Sequence, residues 1–101
     1  MDRFSLQTPE QVSQSLAARI KALRLARGWK QITLAERSGV SLASLRRFEE
    51  SGRISLQSLL GLAFALNRLD DFDTLLQPPP AASIAELEAA EKRPARKRGR
   101  V

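Results

Sequence analysis

The chain has 101 residues, a formal net charge of +6 and no cysteine, histidine or tyrosine. Disulfides, the usual zinc sites and the common general bases are therefore missing, and we expect neither an enzyme nor a bound metal or cofactor. The length allows one compact domain and a tail, and because no apolar run approaches a membrane span and no signal peptide is evident, we expect a cytoplasmic protein without a membrane partner.

Helix one is predicted between Thr8 and Gly28. Thr8 can cap the helix, Pro9 suits its first position, and Gln11 can reach back to the cap as in a capping box. Apolar residues then recur at helical spacing until the glycine. They are Val12, Leu16, Ile20 and Leu23.

Two short helices are predicted next, over residues 31–38 and 42–50, and Ser41 is the expected N-cap of the second. Ala35 is small enough for the two helices to approach closely. Gly39 can adopt the left-handed conformation that ends the first helix without a Cβ penalty.

The spacing of these residues is typical of a helix-turn-helix, over about residues 31–50. Leu34, Val40 and Leu45 would close a small apolar seam between the two helices. The residues of the second helix left for its outer faces are Leu42, Ala43, Ser44, Arg46 and Arg47. A helix presented in this way fits the major groove of DNA.

A fourth helix is predicted after Ser55, which can cap it, and Asn67 is expected to stop it. A short fifth helix is predicted from about Asp70 to Leu76, with acidic residues in its first turn, where the helix dipole favours them. These two helices carry more apolar residues than a monomer needs to cover, so we expect the homodimer contact there. The residues concerned are Leu69, Phe72, Leu75 and Leu76.

The three prolines at 78–80 are expected to end the helical domain, which would cover residues 1–77. A capping-box pattern that starts at Ser83 allows a short helix as far as about Glu91, in which Ile84 and Leu87 could pack weakly. The last ten residues contain almost no apolar side chains, so we expect residues 78–101 to form a linker and a disordered tail. The tail carries six basic residues: Lys92, Arg93, Arg96, Lys97, Arg98 and Arg100.

Charge is distributed unevenly along the chain. Residues 19–53 contain nine Lys and Arg against three acidic residues, residues 54–91 contain one against six, and residues 92–101 contain six and no acid. This asymmetry favours a phosphate-binding surface with a basic arm, although charge runs also mark ordinary solvated faces.

Residues 16–66 resemble the five-helix, all-α DNA-binding domain of phage-type repressors and of the Xre group of bacterial regulators. The stretch SLRRFEESGRISLQSLLGLAFAL, with the acidic segment and basic tail that follow, is most similar to HipB-type antitoxins, which are encoded beside a HipA-like kinase toxin. The residues that match the domain of phage-type repressors and Xre regulators are Gln31, Leu34, Ala35, Gly39, Val40, Ser41, Leu45, Arg47, Glu49, Leu59, Leu62, Ala63 and Leu66.

The resemblance implies a dimeric, sequence-specific repressor that binds an inverted repeat in double-stranded DNA. The alternative is a HipB-like antitoxin that also binds a HipA-like kinase toxin and autoregulates its operon. A third hypothesis, a protein-interaction domain without DNA binding, is disfavoured by the basic residues of the helix-turn-helix.

Individual roles follow from the matched positions. Gln31 would contact phosphate at the start of helix two, Arg46 would read guanine, and Arg53 would reach phosphate from the next loop. Leu42 and Ala43 would offer apolar contacts to the bases, and the remaining residues would lie nearer the DNA backbone. The predicted DNA-binding residues are Lys30, Gln31, Ser41, Leu42, Ala43, Ser44, Arg46, Arg47 and Arg53.

Structural alternatives exist for several of these residues. Gln31 could be a solvated helix starter, and the two arginines of helix three could pair with Glu49 or Glu50 at helical spacing. Glu49, which we expect near Arg46 and Arg53, would support the following loop. Trp29 is expected to pack at a helix junction rather than to stack on a base.

Overall fold

Residues 7–80 are described by the computed structural model, and within them the fold consists of four α-helices and one 3₁₀ helix, with no β-strand. The helices are α1 (Pro9–Ala26), α2 (Gln31–Ser38), α3 (Leu42–Ser51) and α4 (Leu56–Ala65). No helix in this part of the chain is both long and apolar enough to cross a membrane. The helix predicted near residues 83–91 and the basic tail lie outside the described residues.

The starts of the helices follow the predicted caps. The Thr8 hydroxyl accepts a hydrogen bond from the backbone N–H of Gln11 at 3.0 Å, and the Gln11 side chain accepts one from the Thr8 N–H, so the capping box is formed. Ser41 and Ser55 cap α3 and α4 in the same way through their hydroxyls. Lys30, which precedes α2, provides no such bond.

The core lies where α3 and α4 pack against α2 and where α1 packs against α3. Ala35 of α2 is buried in the core, and Gly39 ends α2 with a φ of 77°, as predicted. At Gly61 of α4 an added Cβ would lie 3.2 Å from the Ser38 carbonyl, so a glycine lets α4 approach the end of α2. The buried core residues include Ala17, Ile20, Leu34, Ala35, Val40, Leu45, Phe48, Leu59, Leu62 and Leu66.

The predicted fifth α-helix is wrong. The segment contains only a 3₁₀ helix, Leu69–Phe72, followed by turns as far as Leu76. Its backbone hydrogen bonds join residues three apart, for example the Asp73 N–H to the Asp70 carbonyl. Positive φ angles at Asn67 and Leu76 bound the segment, and its three aspartates have low helix propensity.

Candidate nucleic-acid interface

The outward face of α3 is defined by the residues that the helix buries on its other side. Leu45 and Phe48 are buried in the core, whereas Arg46 and Arg47 are exposed, as are Ala43 before them and Glu50 after them. At 100° per residue, these four exposed positions lie within about a quarter turn of one another. The structure therefore places two arginines on one exposed helical face, one toward each side of it.

Neither arginine forms an ion pair with another residue of the described part of the chain. The alternative in which Arg46 or Arg47 pairs with Glu49 or Glu50 is therefore not formed. Within residues 7–80 no acidic residue engages either guanidinium group, and Arg can offer two parallel hydrogen bonds to guanine or to a phosphate.

Leu42 is less exposed than the sequence analysis expected. Its side chain is half-buried and packs against the core, so only part of it faces outward. Ser41 and Ser44 are joined to each other, because the Ser41 hydroxyl donates to the Ser44 hydroxyl at 2.9 Å and accepts from the Ser44 N–H at 3.1 Å. The first turn of α3 therefore presents mainly Ala43 and small hydroxyl groups.

A buried ion pair lies beneath the start of α2. The Arg24 guanidinium donates through Nε and Nη2 to the two carboxylate oxygens of Glu49, at 2.8 and 2.9 Å, and through Nη1 to the Trp29 carbonyl. The exposed fraction of the Glu49 side chain is only 4%. Glu49 therefore joins α3 to α1, instead of supporting the loop beside Arg46 and Arg53 as the sequence suggested.

This ion pair also holds Gln31. The Gln31 side-chain amide donates to Oε1 of Glu49 at 2.8 Å, which uses one of its two N–H groups. The second N–H group and the first backbone amides of α2 remain at the helix start, where the helix dipole favours an anion. The Gln31 side chain is thus held in place by Glu49 and is not simply a solvated residue at the start of a helix.

A small polar cavity of about 200 Å³ lies between α3 and the start of α4. Arg47 and Arg53 line it together with the hydroxyl-bearing residues Ser44, Ser55 and Ser58. Two guanidinium groups beside the amino end of a helix form a site suited to a phosphate oxygen. Arg47 therefore lies on the α4 side of the exposed face, with Arg53.

Trp29 packs at the junction of α1 and α2, as predicted. The guanidinium groups of Arg27 and Arg37 lie 5.1 and 4.6 Å from the centre of its indole ring, and the half-buried side chain packs against the core. Its ring is therefore occupied by intramolecular cation–π contacts.

Arg24 and Gly52 are structurally central residues that the sequence interpretation did not single out. Arg24 follows Ala17 and Ile20 on the buried face of α1, and a charged residue on an apolar stripe is the signal that could have indicated a buried partner. Gly52 ends α3 with a φ of 82°, and an added Cβ would lie 3.0 Å from the Ser13 carbonyl carbon. Together they fix α3 against α1.

Comparison with protein families identifies one family for most of this helical domain. The sequence model described as helix-turn-helix matches residues 20–72, which is more than half of the chain and extends from α1 to the 3₁₀ helix. No curated protein and no solved structure matches significantly. The family match does not separate HipB-type antitoxins from other members. The chain belongs to the Xre-type helix-turn-helix family, and this membership supports a DNA-binding transcriptional regulator.

Proposed function

We propose that this regulator is a dimeric repressor that binds an inverted repeat, with α3 of each copy in the major groove. The observation that carries the proposal is the exposed face of α3, where Arg46 and Arg47 have no ion-pair partner among residues 7–80. Arg46 precedes Glu49 by three residues and so lies toward the Gln31 side of the helix. Arg47 lies toward Arg53.

This arrangement supports a division of roles between phosphate and base contacts. Gln31 and Lys30 stand at the start of α2, and Arg47 and Arg53 flank the start of α4, so groups suited to phosphate lie on two sides of α3. Arg46 is then the residue proposed to read a guanine through its O6 and N7 atoms. Partial burial of Leu42 leaves Ala43 as the main apolar contact in the first turn.

The first prediction tests this division. On duplexes selected from a random pool, footprinting should protect two successive major grooves whose centres lie about 10 base pairs apart. Gln31→Ala should weaken binding to selected and random DNA alike, because phosphate contacts carry no sequence information. Arg46→Ala should reduce discrimination at one base pair of each half-site by about 1 to 3 kcal/mol.

Arg68→Ala is the matched control, because Arg68 lies beyond the carboxyl end of α4, away from the proposed interface. It removes one exposed positive charge and should leave discrimination unchanged. Circular dichroism of each variant checks the fold, which matters for Gln31→Ala because the wild-type side chain bonds Glu49. Equal losses on both kinds of DNA for Gln31→Ala and Arg46→Ala would contradict the division of roles.

The proposed homodimer surface is an apolar stripe on α4. Leu56, Leu60 and Phe64 follow one another at four-residue steps, and the first and last are 66% and 70% exposed. Leu69 lies beside Leu60 and Phe64. The stripe starts next to the loop that carries Arg53, so a two-fold axis near this end of α4 would bring two α3 helices side by side.

This surface includes only one of the four residues that the sequence suggested for the dimer. Phe72 and Leu75 line a different face, against α1, together with Leu16 and Leu23.

The second prediction concerns this stripe. In sedimentation experiments the double variant Leu56→Asp/Phe64→Asp should raise the dimer dissociation constant at least tenfold, because two charged groups would have to be desolvated in the contact. Leu25→Asp, at an exposed leucine of α1, is the control and should leave it unchanged. An unaltered dimer in the double variant would exclude α4 from the contact.

The third prediction concerns the basic tail, which we propose to act as an arm on DNA. Residues 1–91 carry eleven basic and eleven acidic residues, so the net positive charge comes from residues 92–101. Removal of these ten residues should reduce the slope of log K against log salt by about 0.9 for each DNA phosphate that the tail neutralises, with little change in sequence preference. An unchanged slope on the same operator would reject the arm.

The antitoxin alternative adds a HipA-like kinase as a second partner. Its support is the sequence order, in which an acidic segment and a basic tail follow the helix-turn-helix. A HipA-like kinase reading frame immediately downstream, together with co-purification of its product with this chain, would favour that function. Neither finding would conflict with DNA binding.

A further inference from the structure

An apolar groove runs along α1 on a side of the domain that the proposed DNA and dimer contacts do not use. Leu16 and Leu23 of α1 form one wall, and Phe72 and Leu75, after α4, form the other. Val12 extends the groove toward the start of α1. Val12 and Leu75 are both exposed, and Leu16, Leu23 and Phe72 are only half-buried, so much of this apolar surface faces water in residues 7–80.

The charges at the rim of the groove are uneven. Arg68 forms an exposed ion pair with Asp71 at 2.9 Å, which leaves this side of the rim formally neutral. Arg19 of α1 has no ion-pair partner among residues 7–80. The groove therefore combines an apolar floor with one positive charge that the described residues do not compensate.

We infer that residues 83–91 of the same chain dock in this groove. This segment, SIAELEAAE, contains Ile84 and Leu87 one helical turn apart and three glutamates. The two apolar side chains match the floor, and the negative charge matches Arg19 at the rim. The segment is the one stretch beyond Pro80 that combines large aliphatic residues with acidic ones.

The length of the connection allows this docking. Leu75 lines the groove, and Ile84 is nine positions further along the chain, so the chain can span up to about 30 Å between them. The groove extends along α1 from Val12 to Leu23, which is about 17 Å at the helical rise. Because the segment is tethered next to the groove, its effective concentration there is on the order of millimolar. The inference does not depend on DNA binding.

The absence of cysteine makes a single spin label straightforward to introduce. A nitroxide on Ala89→Cys in the full chain should reduce the methyl signals of Leu16 and Leu23 by more than half, and leave those of Leu56 and Leu60 on α4 nearly unchanged. Adding Ile84→Asp and Leu87→Asp should restore the groove signals. Samples in which one copy carries the nitroxide and another the isotope label separate docking within a chain from docking between chains.

Thermal unfolding provides the second readout. The variant Ile84→Asp/Leu87→Asp should lower the Tm of the full chain by about 5 °C, whereas Ala81→Asp/Ala82→Asp, which adds the same two charges before the segment, should not. Three results would overturn the inference. They are the absence of signal reduction in the groove, a reduction that persists in the mixed samples, which would indicate a second copy, and perturbation of the groove on removal of residues 1–6 alone, which would indicate the amino-terminal segment.

Discussion

Glu49→Ala should lower the free energy of unfolding by about 3 to 5 kcal/mol, a large part of the total stability of a small domain. The substitution leaves the Arg24 guanidinium buried without its carboxylate, and a buried charge without a partner is strongly unfavourable. It also removes the acceptor that holds Gln31 at the start of α2. Urea denaturation followed by circular dichroism measures the decrease in stability.

Two further variants identify the cause of this decrease. Arg24→Met/Glu49→Leu removes both charges and should be less destabilised than Glu49→Ala, because no buried charge is left alone. Asp71→Ala breaks the exposed Arg68–Asp71 pair and should cost less than about 1 kcal/mol. If Glu49→Ala costs as little as Asp71→Ala, the Arg24–Glu49 pair does not have the structural role inferred for it.

Gly52→Ala is expected to be the other strongly destabilising change, at about 3 kcal/mol or more. Its φ of 82° lies in the left-handed region, which costs an alanine about 1 to 2 kcal/mol. In addition, the new Cβ would meet the backbone of α1, at 3.0 Å from both the Ser13 carbonyl carbon and the Gln14 nitrogen. Backbone atoms inside a helix cannot move aside as a flexible side chain can, so α1 and α3 must separate.

Gly39→Ala is a matched control for this prediction. Gly39 has nearly the same conformation, with a φ of 77°, but an added Cβ would have no neighbour within 4 Å. It should therefore show only the conformational cost, about 1 to 2 kcal/mol. The difference in the free energy of unfolding between the two variants, measured by thermal or urea unfolding, then gives the cost of the clash between the new Cβ and α1. Equal destabilisation at Gly39 and Gly52 would mean that α1 relaxes without penalty.

The sequence indicated the helix-turn-helix because its signals are local. Ser41 and Ser55 bond backbone groups three residues away, and Gly39 ends α2 through its own φ angle, so these features depend on few neighbours. The fifth helix was predicted from the same kinds of signal and was wrong. The sequence indicated a break at Asn67, but it gave no sign of the positive φ at Leu76, a conformation that leucine rarely adopts.

The sequence by itself thus determined the helical class, the order and approximate bounds of the four α-helices, and the excess of positive charge over residues 19–53. Only the tertiary structure decided which charged residues remain exposed. Arg24 and Arg46 are the same residue type, yet one is buried against Glu49 and the other faces outward without an ion-pair partner among residues 7–80. Pairing across 25 residues depends on how α1 and α3 pack, and capping and periodicity do not report that packing.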